Sequence, residues 1–430
     1  MTVVNVTPPV VSGTPKVGQT LSTTNGTWTF DEDYLTYEYA WERCDADGSN
    51  PVVIPGATLH TYGLVSADLG HAMRSLVTPT EHTNPVTPVD PVPGNGIITT
   101  GGTYGGVFNG QITISTTSLV TFDGLVQTYT AGTMMKTSAG TPPNLVIQNS
   151  RLTGGSWRIL DCDIFDSITM EHCTIVKTAG ITLVGNGDIL MRYNRHTNIQ
   201  RVSGGVGNFL QVRLYQSGSF EVAWNEIINE YNKSDPEDLF SIYHSSSTNW
   251  HDNYLQGQFR PGNGPGSSQN GITLDGYGGS GQHVDNNIIQ DNILVRTLSI
   301  AVFPTGTGPA SGNRFLGNRY TNAGYLDDGV TRNYYGYQGM SVKPGGSDNQ
   351  AHDNVLGAMK GTSQGSYSRG NDGEFSGEPR GNGNGTSTGA WTDNTHMAPA
   401  GGTITRAMED AEWDLWQSKL TLEGITIGAP

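Results

Sequence analysis

Charged side chains are scarce in this chain, at 14% of 430 residues, against about 25% in an average soluble protein. Lys and Arg number 23 against 39 Asp and Glu, leaving a formal net charge of −16. That shortage of positive charge argues against a nucleic-acid backbone or an anionic membrane surface as partner. Neutral or cationic partners remain, carbohydrate among them. Long apolar runs are missing too: none approaches the roughly 20 residues needed to span a bilayer, so no membrane insertion is expected. The opening run, Met1 to Pro9, has neither the basic nor the apolar region of a signal peptide, and the chain as written is expected to stay in the compartment that made it. Cysteines number three, Cys44, Cys162 and Cys173. They cannot all pair within one chain, their sparsity fits a reducing site of synthesis, and they read as thiols filling a core. No phosphate-binding loop, serine-nucleophile elbow or calcium loop occurs, and Cys162 and Cys173 lack close partners for zinc, so neither cofactor nor metal is expected.

Glycine is plentiful, with 59 residues, about twice the usual share. With abundant Thr, Ser and Asn it indicates an all-β protein with many turns, and the length suggests two to three domains. Residues 1–83 read as short strands between turns at Thr7-Pro8-Pro9, Gly13-Thr14-Pro15, Asn25-Gly26 and Asp47-Gly48, with Tyr37, Tyr39 and Trp41 on one strand face. Val17-Gly18-Gln19-Thr20-Leu21, Gly26-Thr27-Trp28, Trp41-Glu42-Arg43-Cys44, Ile54-Pro55-Gly56-Ala57-Thr58 and Asp68-Leu69-Gly70-His71 resemble bacterial Ig-like modules. The resemblance implies an Ig-like β-sandwich acting as a spacer or, as the lesser alternative, a low-affinity adhesive unit. Related modules often carry a second Cys before the Ile-x-Gly-Ala-Thr stretch, and Asn50-Pro51-Val52-Val53 supplies none, so no disulfide is expected there. Residues 84–96 are Pro-rich and read as a semi-rigid linker.

From 97 to 400 a loose repeat dominates: a short β run, then Asn or Cys, one residue, and an aliphatic or aromatic residue. The markers Asn149, Cys173, Asn194, Asn225, Asn253, Asn287, Asn318 and Asn354 fall 21 to 36 residues apart. Asn tolerates the left-handed backbone of a sharp corner and its amide can bond the Asn above and below, while the flanking aliphatics stack inward. The architecture expected is a right-handed parallel β-helix of about eight to ten coils. Residues 359–400, rich in Gly, Asn, Ser and Thr, read as an extended arm or a loop. In residues 401–430, Ile404, Met408, Ala411, Leu415, Trp416 and Leu420 recur at helical spacing before Gly424. This predicts an amphipathic helix that covers an open end or docks on a flank.

Ionisable residues are densest at Glu226, Glu230, Asp235, Glu237, Asp238, His244, His251 and Asp252, followed by Asp275, His283 and Asp285. Glycoside hydrolysis needs two carboxyls about 5 to 9.5 Å apart, a separation within reach of neighbouring coils about 4.8 Å apart. Glu237 or Asp238 with Asp275 is the candidate catalytic pairing. A bland reading stands beside it, in which Asp235-Pro236-Glu237-Asp238 is a loop exit and helix start and His251-Asp252-Asn253 belongs to the repeat. For glycan binding the candidates are aromatic: Trp250, Tyr254, Tyr277, Tyr334, Tyr335 and Tyr337.

The runs Pro236-Glu237-Asp238-Leu239-Phe240-Ser241-Ile242-Tyr243-His244, His251-Asp252-Asn253-Tyr254-Leu255 and Gly271-Ile272-Thr273-Leu274-Asp275-Gly276, with Glu412-Trp413, Trp416 and Gly424-Ile425-Thr426-Ile427-Gly428 near the end, resemble β-helix proteins of bacteria and tailed phages in the pectate-lyase-like group. That resemblance implies a virion surface protein: a tail spike, minor tail protein or fibre, trimeric, made in the host cytoplasm. Its partners would be host-envelope polysaccharide and, through the Ig-like module, other virion proteins. A polysaccharide depolymerase and a purely architectural decoration protein are the other readings, and the catalytic signatures of the lyase families do not match.

Overall fold

The structure is a computed structural model that describes residues 4–28, 35–81, 89–155, 157–201, 207–230, 233–257, 270–275, 283–297, 300–303, 311–323, 340–342, 348–361, 367–369, 375–376, 391–398 and 403–430. The chain divides into two compact units, Met1–Pro88 and Val89–Ala429. In the first, all pairing is antiparallel. Val11–Gly13, Thr20–Thr23 and Thr61–Gly63 form one sheet. Leu35–Cys44 pairs with Val52–Val53 and Ala72–Glu81 in another. Leu21, Trp41 and Leu64 are its buried centre. Trp41 stacks on Tyr62 at 5.7 Å and donates its indole N–H to Leu59 O at 2.9 Å, so a large ring is buried with no orphaned donor.

The second unit is built of parallel strands, and three stacks recur in chain order. The first is an 11-stranded sheet from Ile97–Ile98 to Phe375–Ser376. The second runs through Asn144–Gln148, Ser167–Glu171, Asp188–Arg192, Phe220–Ala223 and Asn249–His251 to Trp391–Thr392. The third runs through Arg151–Gly154, Thr174–Val176, Arg195–Thr197, Glu226–Ile228 and Tyr254–Gln256 to Thr395–His396. This arrangement fits a β-helix, with eleven levels in the first stack rather than eight to ten. Val89–Gly96 is not free linker, since Asp90–Pro91 already pairs with Tyr104–Gly105 and Val92 is buried.

Inward positions form columns of like residues, as alternation in a strand requires. One reads Cys162, Leu183, Val212, Ile242, Leu274 in the first stack; another reads Ile175, His196, Ile227, Leu255, Leu294, Tyr320, Leu356 in the third. All three cysteines are buried free thiols. Burial pushes the Cys173 thiol up to about 12, so it is an inert filler.

Between the second and third stacks the corner divides its labour between two residues. The left-handed one comes first: Asn149, His172, Tyr193, Trp224, Asp252, Asp291, Gly317, Asp353 and Asp393 all have φ between 50° and 62°. The next residue turns inward and bonds its counterpart on the following level. From Asn194 the amides chain through Asn225, Asn253, Asn292, Asn318 and Asn354 to Asn394, each Nδ2 donating to the next Oδ1 at 2.8–3.1 Å. Each Oδ1 also accepts the backbone N–H of the Asn before it. Two expected markers are therefore displaced. Asn149 is the left-handed residue and buried Ser150 takes the ladder slot. Asn287 belongs to a second, shorter ladder with Asn313 and Asn349, at the entry to the second stack.

Arg406–Glu423 is the C-terminal helix, closed by Gly424 at φ 66°. It docks on the flank of the third stack. Trp416 stacks between Trp224 (5.9 Å) and Tyr254 (6.0 Å), and Trp413 meets Tyr254 edge-on. Glu409 pairs with Arg296 at 2.8 Å and caps Ala323 N–H at 2.7 Å, Glu412 takes both Nε and Nη2 of Arg319, and Lys419 reaches Asp252 at 2.6 Å. The buried side thus carries Glu409 and Glu412, whereas Ala411 and Leu415, expected inside, face solvent. Paired charge replaces apolar contact because Arg296 and Arg319 point outward from the flank at those heights. Beyond the helix, Gly428 N–H bonds Tyr193 O at 2.7 Å and Ala429 N–H bonds Thr174 Oγ1 at 2.9 Å. Of the stretch 359–400, Met359–Gly361 pairs antiparallel with Tyr367–Arg369 and the terminal strands close the stacks; 362–366, 370–374, 377–390 and 399–400 lie outside the described residues.

One column member gives the unit an acid-sensitive point. His196 is fully buried, lies 3.2 Å from Thr178 Oγ1 and meets the Phe209 ring at a tilt, with centroids 5.9 Å apart. Burial pushes it down to about 3. The folded state therefore holds it neutral, while the unfolded chain takes up a proton below about 6.5. Stability should fall by about 1.4 kcal/mol per pH unit as pH drops from 6.5 towards 3. Urea unfolding at pH 7, 6, 5 and 4 is expected to show this slope reduced by that amount in His196→Leu; parallel pH profiles would contradict it.

Candidate functional site

Three outer faces are available, one per stack. The third is occupied by the C-terminal helix over much of its length, and the second carries mixed, half-exposed side chains. The first is different. Alternation places Asp161, Thr182, Gln211, Ser241 and Thr273 outward in one continuous register row. Thr182, Gln211, Ser241 and Thr273 are nevertheless only 4–8% exposed. Gln211 Nε2 donates to Ser241 Oγ at 3.4 Å. Four levels at about 4.8 Å spacing make this a recessed, uncharged polar strip about 14 Å long.

Ionisable groups sit at both ends of its strands. At the start, Asp238 opens the strand Asp238–Tyr243, where a helix start had been one expectation. Its Oδ1 accepts from Asn270 Nδ2 at 3.2 Å and its carbonyl from Asn208 Nδ2 at 3.1 Å. Burial, helped by the neighbouring Glu237 charge, pushes Asp238 up to about 7 against the pull of Thr273 and Asn270. Burial also raises Glu237, with Arg201 opposing and the charge of Asp275 adding a little. At the far end, Arg213 lies 5.1 Å from the ring centre of Tyr243, and Tyr243 is in register with Asp275.

Of the two expected catalytic pairings, the one between Asp238 and Asp275 is corrected by this register. Asp238 stands opposite Asn270, and Asp275 is five residues further along its strand, about 16 Å of backbone. The register thus keeps Asp238 away from Asp275 on the adjacent level, whereas Glu237, just before the strand, still feels the charge of Asp275. The other acidic candidates are engaged elsewhere: Glu226 holds Arg195 and Trp416 Nε1, Glu230 binds Lys233 and Asn198, and Asp252 binds His251 and Lys419. Asp252 is held below the usual carboxylate range, the bonds from His251 and Lys419 outweighing the effect of burial.

Two of the aromatic candidates are corrected as well. Trp250 is 0% exposed in the core column, its N–H satisfied by Thr248 Oγ1, and Tyr254 is 1% exposed beneath the C-terminal helix. Neither offers a ring face to a sugar. Tyr277, Tyr334, Tyr335 and Tyr337 lie outside the described residues. The polar strip itself went unnoticed in the sequence, because Thr, Gln and Ser at alternate strand positions look like any solvated face. Among the described residues no set of three or more His, Cys, Asp or Glu side chains is placed to hold a metal ion, and no helix is long and apolar enough to cross a membrane. Comparison with protein-family models, with curated proteins and with solved structures finds no match for this chain.

Proposed function

We propose that this is a non-enzymatic glycan-binding protein of a phage virion surface, a tail spike, minor tail protein or fibre. In this reading a right-handed parallel β-helix presents its first outer face to host-envelope polysaccharide, and an N-terminal Ig-like spacer meets other virion proteins in a homotrimer. The observation that carries the binding role is the recessed, uncharged strip Thr182–Gln211–Ser241–Thr273 on a rigidly cross-bonded stack, a row of hydroxyl and amide groups suited to sugar hydroxyls. The virion setting rests on the sequence resemblance. Fluorescently labelled protein is expected to decorate cells of a susceptible bacterium and to lose that binding when surface sugars are oxidised with periodate. Undiminished binding to periodate-treated cells would overturn the reading.

A second reading, depolymerase activity, is favoured by one observation: a carboxyl titrating near neutrality, as Asp238 does, is what a general acid requires. The same shift has a consequence for stability. Between about 4 and 7 the folded state holds a proton on Asp238 that the unfolded chain has lost, so this group's contribution declines as pH rises through that window. Asp238→Asn should accordingly match the parent at pH 4 and exceed it in urea resistance at pH 8, by about 1.4 kcal/mol per pH unit crossed. Equal resistance at pH 8 would show that the carboxyl is not raised.

A further inference from the structure

Only one tryptophan of the second unit turns a large part of its surface to solvent among the described residues. Trp157 is 42% exposed, whereas Trp250 and Trp416 are fully buried with their indole N–H groups bonded to Thr248 and Glu226. The Trp157 N–H has no acceptor among the described residues. Its backbone is nonetheless fixed, because Ala179 N–H donates to Trp157 O at 2.8 Å. It lies at the turn that enters the first-stack strand Leu160–Cys162. Its neighbour Arg158 pairs with Asp161, and Asp161 is the outward residue in register with Thr182 at the beginning of the polar strip. An indole with a free N–H is thus held on an ordered turn four residues before Asp161, on the chain segment that leads into the level next to Thr182.

We infer that Trp157 is the aromatic platform on which one sugar of a neutral polysaccharide stacks, with the rest of the chain crossing the strands along Thr182, Gln211, Ser241 and Thr273. The inference rests on the glycan-binding reading and adds to it a residue and a ligand class. An indole face packs against the C–H face of a pyranose ring, and its N–H supplies a donor to a hydroxyl. Neutrality follows from charge. The strip has no ionised group over four levels, Glu237 and Asp238 flank it, and a net charge of −16 repels polyanions such as polyuronates. From Asp161 to Thr273 the path covers four level spacings, about 19 Å, so several sugar units are engaged and binding to single monosaccharides is weak.

The test is affinity electrophoresis of the full chain through gels containing purified neutral capsular and O-antigen polysaccharides from a panel of bacteria, with polygalacturonate as the anionic probe. The wild type is expected to be retarded by at least one neutral polymer and not by polygalacturonate. Trp157→Ala should lose at least 10-fold in affinity, and Trp157→Phe, which keeps a ring, should recover most of it. Unfolding curves matching the parent are expected for both variants, as the side chain is peripheral. A wild type retarded while Trp157→Ala binds equally well would overturn the role of Trp157 and leave glycan binding standing. Retardation by polygalacturonate alone would overturn the neutral class. No retardation on any polymer would remove the glycan-binding reading itself, and the inference with it.

Discussion

Asn253→Ala is expected to destabilise the stacked unit by about 3 kcal/mol or more, far beyond what an asparagine-to-alanine change costs on a surface. Asn253 Oδ1 accepts both the backbone N–H and the side-chain amide of Asn225, and its Nδ2 donates to Val222 O, His251 O and Asn292 Oδ1. Removing it strands donors and acceptors on both adjacent levels at a site where water has no access, since Asn225, Asn253 and Asn292 are all 0% exposed. Each buried unsatisfied group costs about 1–3 kcal/mol. Because the amides form one chain, the damage should spread along it. The midpoint of urea unfolding is the measurement. Asn149→Ala, at a position that is left-handed but outside the ladder, serves as comparison and should cost about 1–2 kcal/mol, through backbone strain and the loss of its single side-chain hydrogen bond to Asp123 Oδ1 at 2.8 Å. Equal losses for the two variants would contradict the account of the corner.

The second large effect is expected at Trp416. Its ring stacks on Trp224 and Tyr254 and its N–H satisfies the buried carboxylate of Glu226. Trp416→Ala combines a large cavity with an acceptor left short of a partner, about 3–5 kcal/mol in all. The loss should be local at first. Hydrogen exchange is expected to speed up through Arg406–Glu423 and in the strands Glu226–Ile228 and Tyr254–Gln256, while levels before Ser150 keep their protection. Uniform acceleration over the whole second unit would show instead that the helix is no separate layer. Buried pairs such as Arg296 with Glu409 contribute little net stability against hydrophobic equivalents but set one docking position.

How far this was legible in the sequence depends on which physical signal each residue carried. The repeat was visible because a buried amide ladder demands Asn at one slot per level, and Asn194, Asn225, Asn253, Asn318 and Asn354 occupy it. Asn149 and Asn287 misled because Asn also suits the left-handed residue before the slot, and because a second corner uses the same chemistry. The helix was visible from its spacing. Its buried face was not, since helical periodicity counts apolar residues, and Glu409 and Glu412 face inward only because Arg296 and Arg319 stand opposite, some 100 residues away in the chain.

The proposed binding face was harder to read. Trp250 and Tyr254 attracted notice because aromatic rings near Asn and Asp suit sugars, yet the same composition fills a core column and a helix-docking surface, which is where both rings lie. Pairing carboxylates across levels required a register, and strand boundaries in Gly-rich sequence do not supply one. Asp238 and Asp275 therefore looked adjacent while standing at opposite ends of neighbouring strands. The row from Thr182 to Thr273 has no charge and no ring, and only its low exposure in the folded chain, 4–8%, distinguishes it.

Binding without cleavage is the central claim, and it is tested most directly on a polysaccharide that retains the protein. Prolonged incubation of that polymer with the full chain at pH 5 and pH 7 should generate no new reducing ends and no unsaturated product absorbing near 235 nm. Release of oligosaccharides that stops in Asp238→Asn would contradict it and establish a depolymerase.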